Sequence, residues 1–393
     1  MGRIVGKAQY RDALLGLGLL WTALALVLWP GESMSAMKDG LKLCGNVILP
    51  SLFPFFVLSS LVVELGMSRY LGRLLEPVMA PLFRVNGACA TALALGFVGG
   101  YPVGARTAIE LYQNGQCSRT EAERLLAFCN NCGPAFILGV VGTGVFGSEK
   151  AGLMLYLAHI LASLVVGLVF RFYKPSHRPQ TYRTGGPQFQ SASFPVAFTH
   201  SITGAMSSAL NICAFVLFFT VFLRLLSYAG VLGTLARGIA ALFSPLGLNE
   251  LWARRLLTGL LEVSSGVSSL TDGALTGRLS MAAFMLGWAG VSVHCQVLAF
   301  LGDSGLSMRT YVVGKLLHGV LSSVLAAALC ARFPLSGPVS YYLIEQTEAI
   351  AHLDFHQALT ISAAAAWAMW LLFLALVLYV VKKSSGKPRG SVV

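Results

Sequence analysis

Residues 96–106 read GFVGGYPVGAR and break an apolar segment that is otherwise long enough to enter a lipid bilayer. The glycines permit a tight reversal of the chain, and Pro102 has no backbone N–H to donate to a helix. Open backbone at membrane depth is tolerated only where it is buried in protein or lines a wet cavity. The stretch therefore predicts a re-entrant hairpin at a binding site. The alternative is a kinked hydrophobic helix.

The composition around this stretch belongs to a membrane protein. Of 393 residues, 56% are hydrophobic and 11% are charged, whereas a soluble domain carries about 25% charged residues. The formal net charge is +12, but the basic residues lie between apolar blocks, where they orient helices. We expect contact with the bilayer and none with nucleic acid. No phosphate-loop, zinc-protease or catalytic-triad pattern is visible, so we expect no enzyme, catalytic residue, metal or cofactor.

Apolar runs of spanning length set the expected architecture. They lie at 12–30, 44–66, 151–171, 200–228, 308–331 and 357–381. Two further runs predict broken helices, namely 119–147, interrupted at residues 130–134, and 280–302, interrupted by Gly290 and His294. Segments 88–115 and 256–278 are too rich in Gly, Pro and Ser to be continuous, which predicts two re-entrant hairpins. The distribution of Lys and Arg places both termini and the linker 172–199 in the cytoplasm, and the acidic loop 333–356 outside. It leaves Arg106, Arg224 and Lys315 at membrane depth. We expect an all-α polytopic membrane protein with about eight crossings.

An internal repeat organises these segments. The paired residues are Asn46 with Asn211, Pro81 with Pro245, Gly96 with Gly259, Glu110 with Asp272, Gly115 with Gly277, Ser118 with Ser280, Gly142 with Gly302 and His159 with His318. Each unit would cross the membrane three times, so the second copy would be inverted, as in secondary transporters. The predicted divisions are an N-terminal anchor helix and loop (1–43), a first repeat with its linker (44–199), a second repeat (200–335), and a last loop, helix and basic tail (336–393).

The candidate substrate site lies where the broken elements converge, near the midplane. Glu262 in the second hairpin is costly in an apolar setting and favours a functional role, either with a coupling cation or proton or with a basic partner. We therefore expect Glu262→Gln to lower transport with little loss of folded protein. The serines beside it serve either a polar ligand or neighbouring carbonyls. The substrate-binding candidates are Gly99, Gly100, Tyr101, Pro102, Gly104, Arg106, Asn130, Asn131, Glu262, Ser264, Ser265, Ser292, His294 and Gln296.

Arg106 has two interpretations. Its guanidinium lies near the N-terminal end of the outgoing half-helix, where it would bind a carboxylate of a substrate. Alternatively, it extends to the cytoplasmic interface or pairs with Glu110 one turn further along the same face.

Two other patterns are weaker. His159 and His318 occupy equivalent apolar positions, where packing or an interhelical hydrogen bond is favoured over a proton relay. Cys129 and Cys132 have redox-motif spacing without the strand–helix–strand setting that such a motif needs. Between residues 118 and 121, the pattern Ser-Arg-Thr-Glu is a capping box that starts a helix.

The strings GYPVGA (100–105) and FCNNCGP (128–134), with residues 259–266, resemble the YlbJ (SpoVV) family of sporulation integral membrane proteins. That family carries duplicated nucleoside-recognition (Gate) domains and is similar in organisation to concentrative nucleoside transporters. The resemblance implies movement of dipicolinic acid into the forespore across the mother-cell-derived outer forespore membrane. Cys132 departs from the small polar residue expected at its position. A nucleoside or base transporter and a membrane assembly protein remain alternatives, with proton or sodium coupling and a homo-oligomeric state left open.

Overall fold

The computed structural model describes residues 7–65, 68–174, 193–302 and 304–333, and within these ranges the chain forms helices and turns without strands. This confirms the predicted all-α class. The predicted crossing 357–381, the basic tail, all but the first residue of loop 333–356 and most of linker 172–199 lie outside the described residues.

The helices follow the apolar runs of the sequence. In chain order they are α1 (Lys7–Leu28), α2 (Pro30–Leu43), a π-helical turn (Cys44–Ile48), α3 (Leu49–Glu64), α4 (Ser68–Phe83), α5 (Cys89–Gly99), α6 (Val103–Gln113), α7 (Arg119–Leu126), a π-helix (Ala135–Val145), α8 (Glu149–Phe170), α9 (Phe194–Tyr228), α10 (Val231–Phe243), a 3-10 turn (Ser244–Leu246), α11 (Glu250–Leu261), α12 (Val263–Ser268), α13 (Leu275–Trp288), α14 (Gly290–Leu301) and α15 (Met308–Arg332). By length and composition, four described segments can cross a membrane, namely α8, α9, α13 with α14, and α15. The pair α1 and α2, bent by 98°, would make a fifth.

The region after the N-terminal helix corrects one expectation. We expected a loop up to residue 43, but α2 fills this region after Trp29. Pro30 suits the first position of a helix, where no backbone donor is needed. Ala36 is fully buried in a cluster with residues of α9, and Asp39 pairs with Arg224 of α9 at 3.1 Å. Contacts with a distant helix therefore stabilise α2, and sequence pattern alone does not show them.

Both predicted hairpins form, and glycines allow their arms to meet. In the first hairpin, α5 and α6 press against the carbonyl of Cys129, so a Cβ on Gly96 or Gly104 would overlap its oxygen. In the second hairpin, a Cβ on Gly266 would overlap the backbone of Gly259. Backbones that approach this closely require residues without side chains.

The first broken helix has the predicted start and the predicted break. Ser118 accepts from the backbone N–H of Glu121, whose carboxylate accepts from the N–H of Ser118, so the capping box is confirmed. The fully buried Arg124 donates to the carbonyls of Tyr173 and Lys174 beyond the end of α8. The helix then ends at Leu126, and regular structure resumes at residue 134.

The second broken helix has a shorter break, at Ala289 and Gly290. Both residues have positive φ angles, 78° and 81°, and α13 ends there while α14 begins. A positive φ is uncommon for alanine and marks a position that the surrounding packing must stabilise. The predicted interruption near Gly290 is therefore present, although His294 lies within the regular helix α14.

The residue pairing of the predicted repeat matches helical elements in the same order along the chain. The turn and α3 correspond to α9, α4 to α10, the hairpin α5–α6 to α11–α12, the first broken helix to α13–α14, and α8 to α15. The equivalent helices α3 and α9 pack together, and so do α8 and α15. Inversion of the second unit across the membrane stays a prediction.

Candidate substrate site

A cavity lies where both hairpin tips meet both broken helices. Its lining consists of Ile48, Gly100, Tyr101, Cys132, Gly133, Phe136, Ile212, Val216, Glu262, Val263, Ser264, Ser292, Val293 and Gln296. The empty space is about 580 Å³, including its open mouth. A mostly apolar wall with a few converging polar groups is the usual form of a small-molecule site.

The structure brings together six of the residues that the sequence singled out. Gly100, Tyr101, Glu262, Ser264, Ser292 and Gln296 all line this cavity. The other candidates are absent from its lining, namely Gly99, Pro102, Gly104, Arg106, Asn130, Asn131, Ser265 and His294. Most of these residues instead contact the hairpins and broken helices that form the cavity wall.

The first hairpin contributes its tip through a close approach of two backbones. Gly100 has a φ of 78°, and a Cβ placed on it would lie 2.8 Å from the backbone nitrogen of Gly133. The tip therefore touches the broken helix directly, and the next residue, Tyr101, faces the cavity between them. Gly104 makes a second close approach, because a Cβ there would overlap the carbonyl oxygen of Cys129.

Glu262 has a structural task in the second hairpin. Its carboxylate accepts from the backbone N–H of Ser264 at 2.9 Å and of Ser265 at 2.6 Å, and it thereby caps α12. The side chain is 1% exposed, and backbone donors at a helix N-terminus compensate a buried carboxylate. Among the described residues it pairs with no basic side chain, so one of the two roles expected for it is not seen here.

Asn130 and Asn131 hold the broken helix open. The Asn130 amide nitrogen donates to the Tyr311 hydroxyl at 3.1 Å, and that hydroxyl is also 3.1 Å from His294 Nδ1. The Asn131 amide nitrogen donates to the carbonyl of Phe128 at 3.0 Å. Both side chains are buried, and the Asn131 amide gives the carbonyl of Phe128 a donor in place of the backbone N–H of a continuous helix.

Lys315 of α15 lies behind the cavity wall, next to Asn130 and Tyr101. Its ammonium is 1% exposed, donates to the carbonyl of Asn130 at 2.8 Å and lies 5.9 Å from the centre of the Tyr101 ring. Within the described part of the chain, Lys315 forms no ion pair. Sequence reasoning placed this charge at membrane depth but assigned it no role. The available signal was a lysine inside an otherwise apolar helix.

The two equivalent histidines meet beside Lys315. Their ring centroids are 4.3 Å apart. His159 Nε2 accepts from the backbone N–H of Cys132 at 2.9 Å, and His318 Nε2 lies 3.0 Å from the carbonyl oxygen of His159. The predicted interhelical hydrogen bond is therefore present. Cys132 meets this network through its backbone, so its position does not depend on a polar side chain.

Arg106 lies in a different place. It donates to Glu110 at 2.8 Å and to Ser208 of α9 at 2.7 Å, and it lines a neighbouring cleft with Glu64 and Asn114. The structure shows the pairing that was the second interpretation. This cleft also contains Pro102, so it adjoins the hairpin tip.

Helical hairpins and broken helices around a mostly apolar cavity with a few polar groups, combined with apolar helices of spanning length, define an integral, multi-pass, all-α membrane protein. Residues 47–170 match the Gate family, which is described as nucleoside recognition. The chain is 34% identical over 332 residues to the sporulation integral membrane protein YlbJ of Bacillus subtilis (strain 168), covering 79% of this chain and 80% of that protein. It therefore belongs to the YlbJ family.

Solved structures with a related arrangement are those of CNTnw. In an inward-facing substrate-bound state, CNTnw has a TM-score of 0.48 and 16% identity, covering 82% of this chain and 88% of that one. A CNTnw variant in an outward-facing state has a TM-score of 0.45 and 14% identity, covering 85% and 89%.

Proposed function

We propose that this protein is a membrane transporter of a small anionic metabolite, and that its substrate is dipicolinic acid. It acts in the outer forespore membrane, in keeping with its sporulation relative. The observation that carries the proposal is the buried Lys315 ammonium behind Tyr101. A charge taken out of water is costly unless an opposite charge compensates it, and an anion in the cavity would compensate this one.

The lining suits a flat aromatic dicarboxylate. Tyr101 and Phe136 offer ring faces and edges, against which a planar ring can pack. Hydroxyls of Ser264 and Ser292 and the amide of Gln296 offer donors to carboxylate oxygens. The apolar remainder of the wall excludes water, which strengthens each of these polar contacts.

A neutral nucleoside or base is the second candidate, because some groups in the cavity are acceptors. Glu262 lines the cavity with a carboxylate, and the buried side-chain oxygen of Gln296 has no hydrogen-bond partner among the described residues. Nucleosides bring N–H and O–H donors to such groups, and the Gate family match points the same way. A membrane assembly protein without transport is the third possibility.

Uptake into proteoliposomes tests these candidates directly. We expect saturable uptake of labelled dipicolinate by the purified protein, with weak competition from uridine and adenine. Tyr101→Leu should reduce this uptake, whereas Tyr112→Leu, the same change in the partly buried tyrosine of α6, should leave it near the wild-type rate. Saturable uptake of uridine or adenine without dipicolinate uptake would favour the second candidate. No uptake of any of them would favour the assembly protein.

A further inference from the structure

Lys315 lies at the carbonyl end of a half-helix. Helix α7 ends at Leu126, where turn bonds from residues 127–129 satisfy the carbonyls of Arg124 and Leu125, and this end of the helix carries partial negative charge. Gly314 lets α15 approach this end, since a Cβ there would overlap the carbonyl of Ala127. The neighbouring Lys315 ammonium then reaches the carbonyl of Asn130. In membrane transporters such carbonyls coordinate the coupling Na⁺ or H⁺.

The groups around this ammonium are neutral or basic. The titratable side chains facing it are His318 and Tyr311 on α15, His159 on α8, His294 on α14, Cys129 and Cys132 at the break, and Tyr101 at the hairpin tip. The described parts of α7, α8, α13 and α14 place no carboxylate within ion-pair distance. The compensation that Lys315 receives in this structure therefore comes from carbonyl and ring dipoles.

Hydrogen bonding assigns the proton positions of the two histidines. A carbonyl oxygen only accepts, so His318 Nε2 carries a hydrogen toward His159, which leaves Nδ1 free to accept from Lys315 at 3.4 Å. His159 Nε2 accepts from Cys132, so this ring is neutral with its hydrogen on Nδ1. With both imidazoles neutral, the cluster of His159, His318 and Lys315 carries one positive charge, on the ammonium. Protonating a second member would place like charges in contact inside the protein.

We infer that Lys315 supplies the cation of the broken-helix site, and that protonation of Lys315, with His318 as its first proton acceptor, couples the proposed transport to H⁺ and not to Na⁺. The ammonium occupies the position from which a free sodium ion would bind the carbonyl of Asn130. The balance is a proton transfer alone. The ammonium passes H⁺ to Nδ1 of His318 and becomes an amine, the imidazolium then releases that H⁺ to water where the anion leaves, and the amine takes up H⁺ when the next anion enters. The coupling rests on the proposed function, whereas occupancy of the cation site does not.

The first experiment needs no substrate. Thermal unfolding of the purified wild-type protein is measured in NaCl and in choline chloride at equal ionic strength. We expect equal Tm values in the two salts, because a tethered cation leaves no sodium site. A Tm that rises specifically with Na⁺ would overturn the inference, whatever the substrate proves to be. Because this experiment uses only the wild-type protein, its result does not depend on whether a Lys315 variant folds.

The second experiment measures coupling in proteoliposomes. One proton carried with the dipicolinate dianion leaves a net negative charge, so the membrane potential is clamped at zero. A pH difference of one unit, acid on the substrate side, should then give about tenfold accumulation. A sodium gradient at equal pH should give none. Lys315→Met keeps the length of the side chain and should lose the response to pH, whereas Lys150→Met, the same change at an exposed lysine of α8, should keep it. Sodium-driven accumulation by the wild type, or a full pH response in Lys315→Met, would refute proton coupling through Lys315. Absence of dipicolinate transport under every gradient would instead reject the proposed function.

Discussion

At the scale of single residues, charge at membrane depth is handled by local partners. Glu262 looks from the sequence like a ligand or one half of an ion pair, yet its oxygens accept two backbone N–H groups. Arg106 likewise pairs within its own helix. Lys315 is the reverse case, because the sequence suggested no role for it, whereas its position in the fold gives it one.

Glu262→Gln is expected to destabilise the protein as well as to lower transport. The amide keeps one acceptor but presents its NH₂ group to the other backbone donor, which costs about 1–3 kcal/mol for a buried unsatisfied group. The sequence alone led us to expect little loss of folded protein. Thermal unfolding measures the change, and Glu110→Gln, at a half-exposed carboxylate, serves as the control. Equal stability of Glu262→Gln and the wild type would contradict the capping role.

Removing the Arg106–Glu110 pair should have a small effect. Both side chains are more than a third exposed, at 38% and 37%, and exposed pairs contribute about 0–1 kcal/mol. Arg106→Gln should therefore bind dipicolinate with a Kd close to that of the wild type, as measured by calorimetry. A large loss of affinity in Arg106→Gln, with a smaller one in Arg106→Lys, would return Arg106 to the substrate site.

At the scale of elements, glycines decide whether the hairpins and broken helices fit together. Gly96 and Gly104 lie on either arm of the first hairpin and clasp the carbonyl of Cys129, while Gly314 brings α15 to the same break. These three contacts place Tyr101 and Lys315 on the two sides of the cavity wall. The site therefore depends on backbone packing before it depends on polar side chains.

Gly104→Ala is expected to abolish folding or to lower the Tm severely, because the new methyl group would overlap a backbone oxygen that cannot move aside. Gly139→Ala is the matched control, since its Cβ would meet no atom within 4 Å. That change should alter stability by no more than about 1 kcal/mol. Yield of monodisperse protein and thermal unfolding report both variants. Similar stability of the two would show that the hairpin does not pack on the break as described.

At the scale of the whole molecule, the two halves of the predicted repeat both contribute to the wall of the cavity. Each contributes a hairpin tip and part of a broken helix, and the equivalent long helices α8 and α15 pack together. This pairing brings His159 and His318 into ring contact across a sequence separation of 159 residues. Inverted units would give such a cavity matched access from the two sides of the membrane.

The predicted topology is tested outside the described residues. Reporter fusions at position 345, in the acidic loop, and at position 387, in the basic tail, should report opposite sides of the membrane. The physical reason is that Lys and Arg in short loops remain cytoplasmic. Fusions at 345 and 387 that report the same side would refute the eight-crossing arrangement.

The sequence by itself showed that this protein lies in a lipid bilayer, and it predicted the helical class, the two hairpins and the positions of the breaks in both broken helices. These are local properties, because hydropathy, glycine and proline act within one or two helical turns. It also identified six residues of the cavity wall. Tertiary structure alone decided that Glu262 caps α12, that Asn130 and Asn131 support the break, and that Arg106 lies in a neighbouring cleft. It also decided that Lys315 approaches Asn130 across 185 residues of sequence. The reason is that a side chain's partner depends on which backbones can touch, and that contact joins segments whose local patterns carry no information about one another.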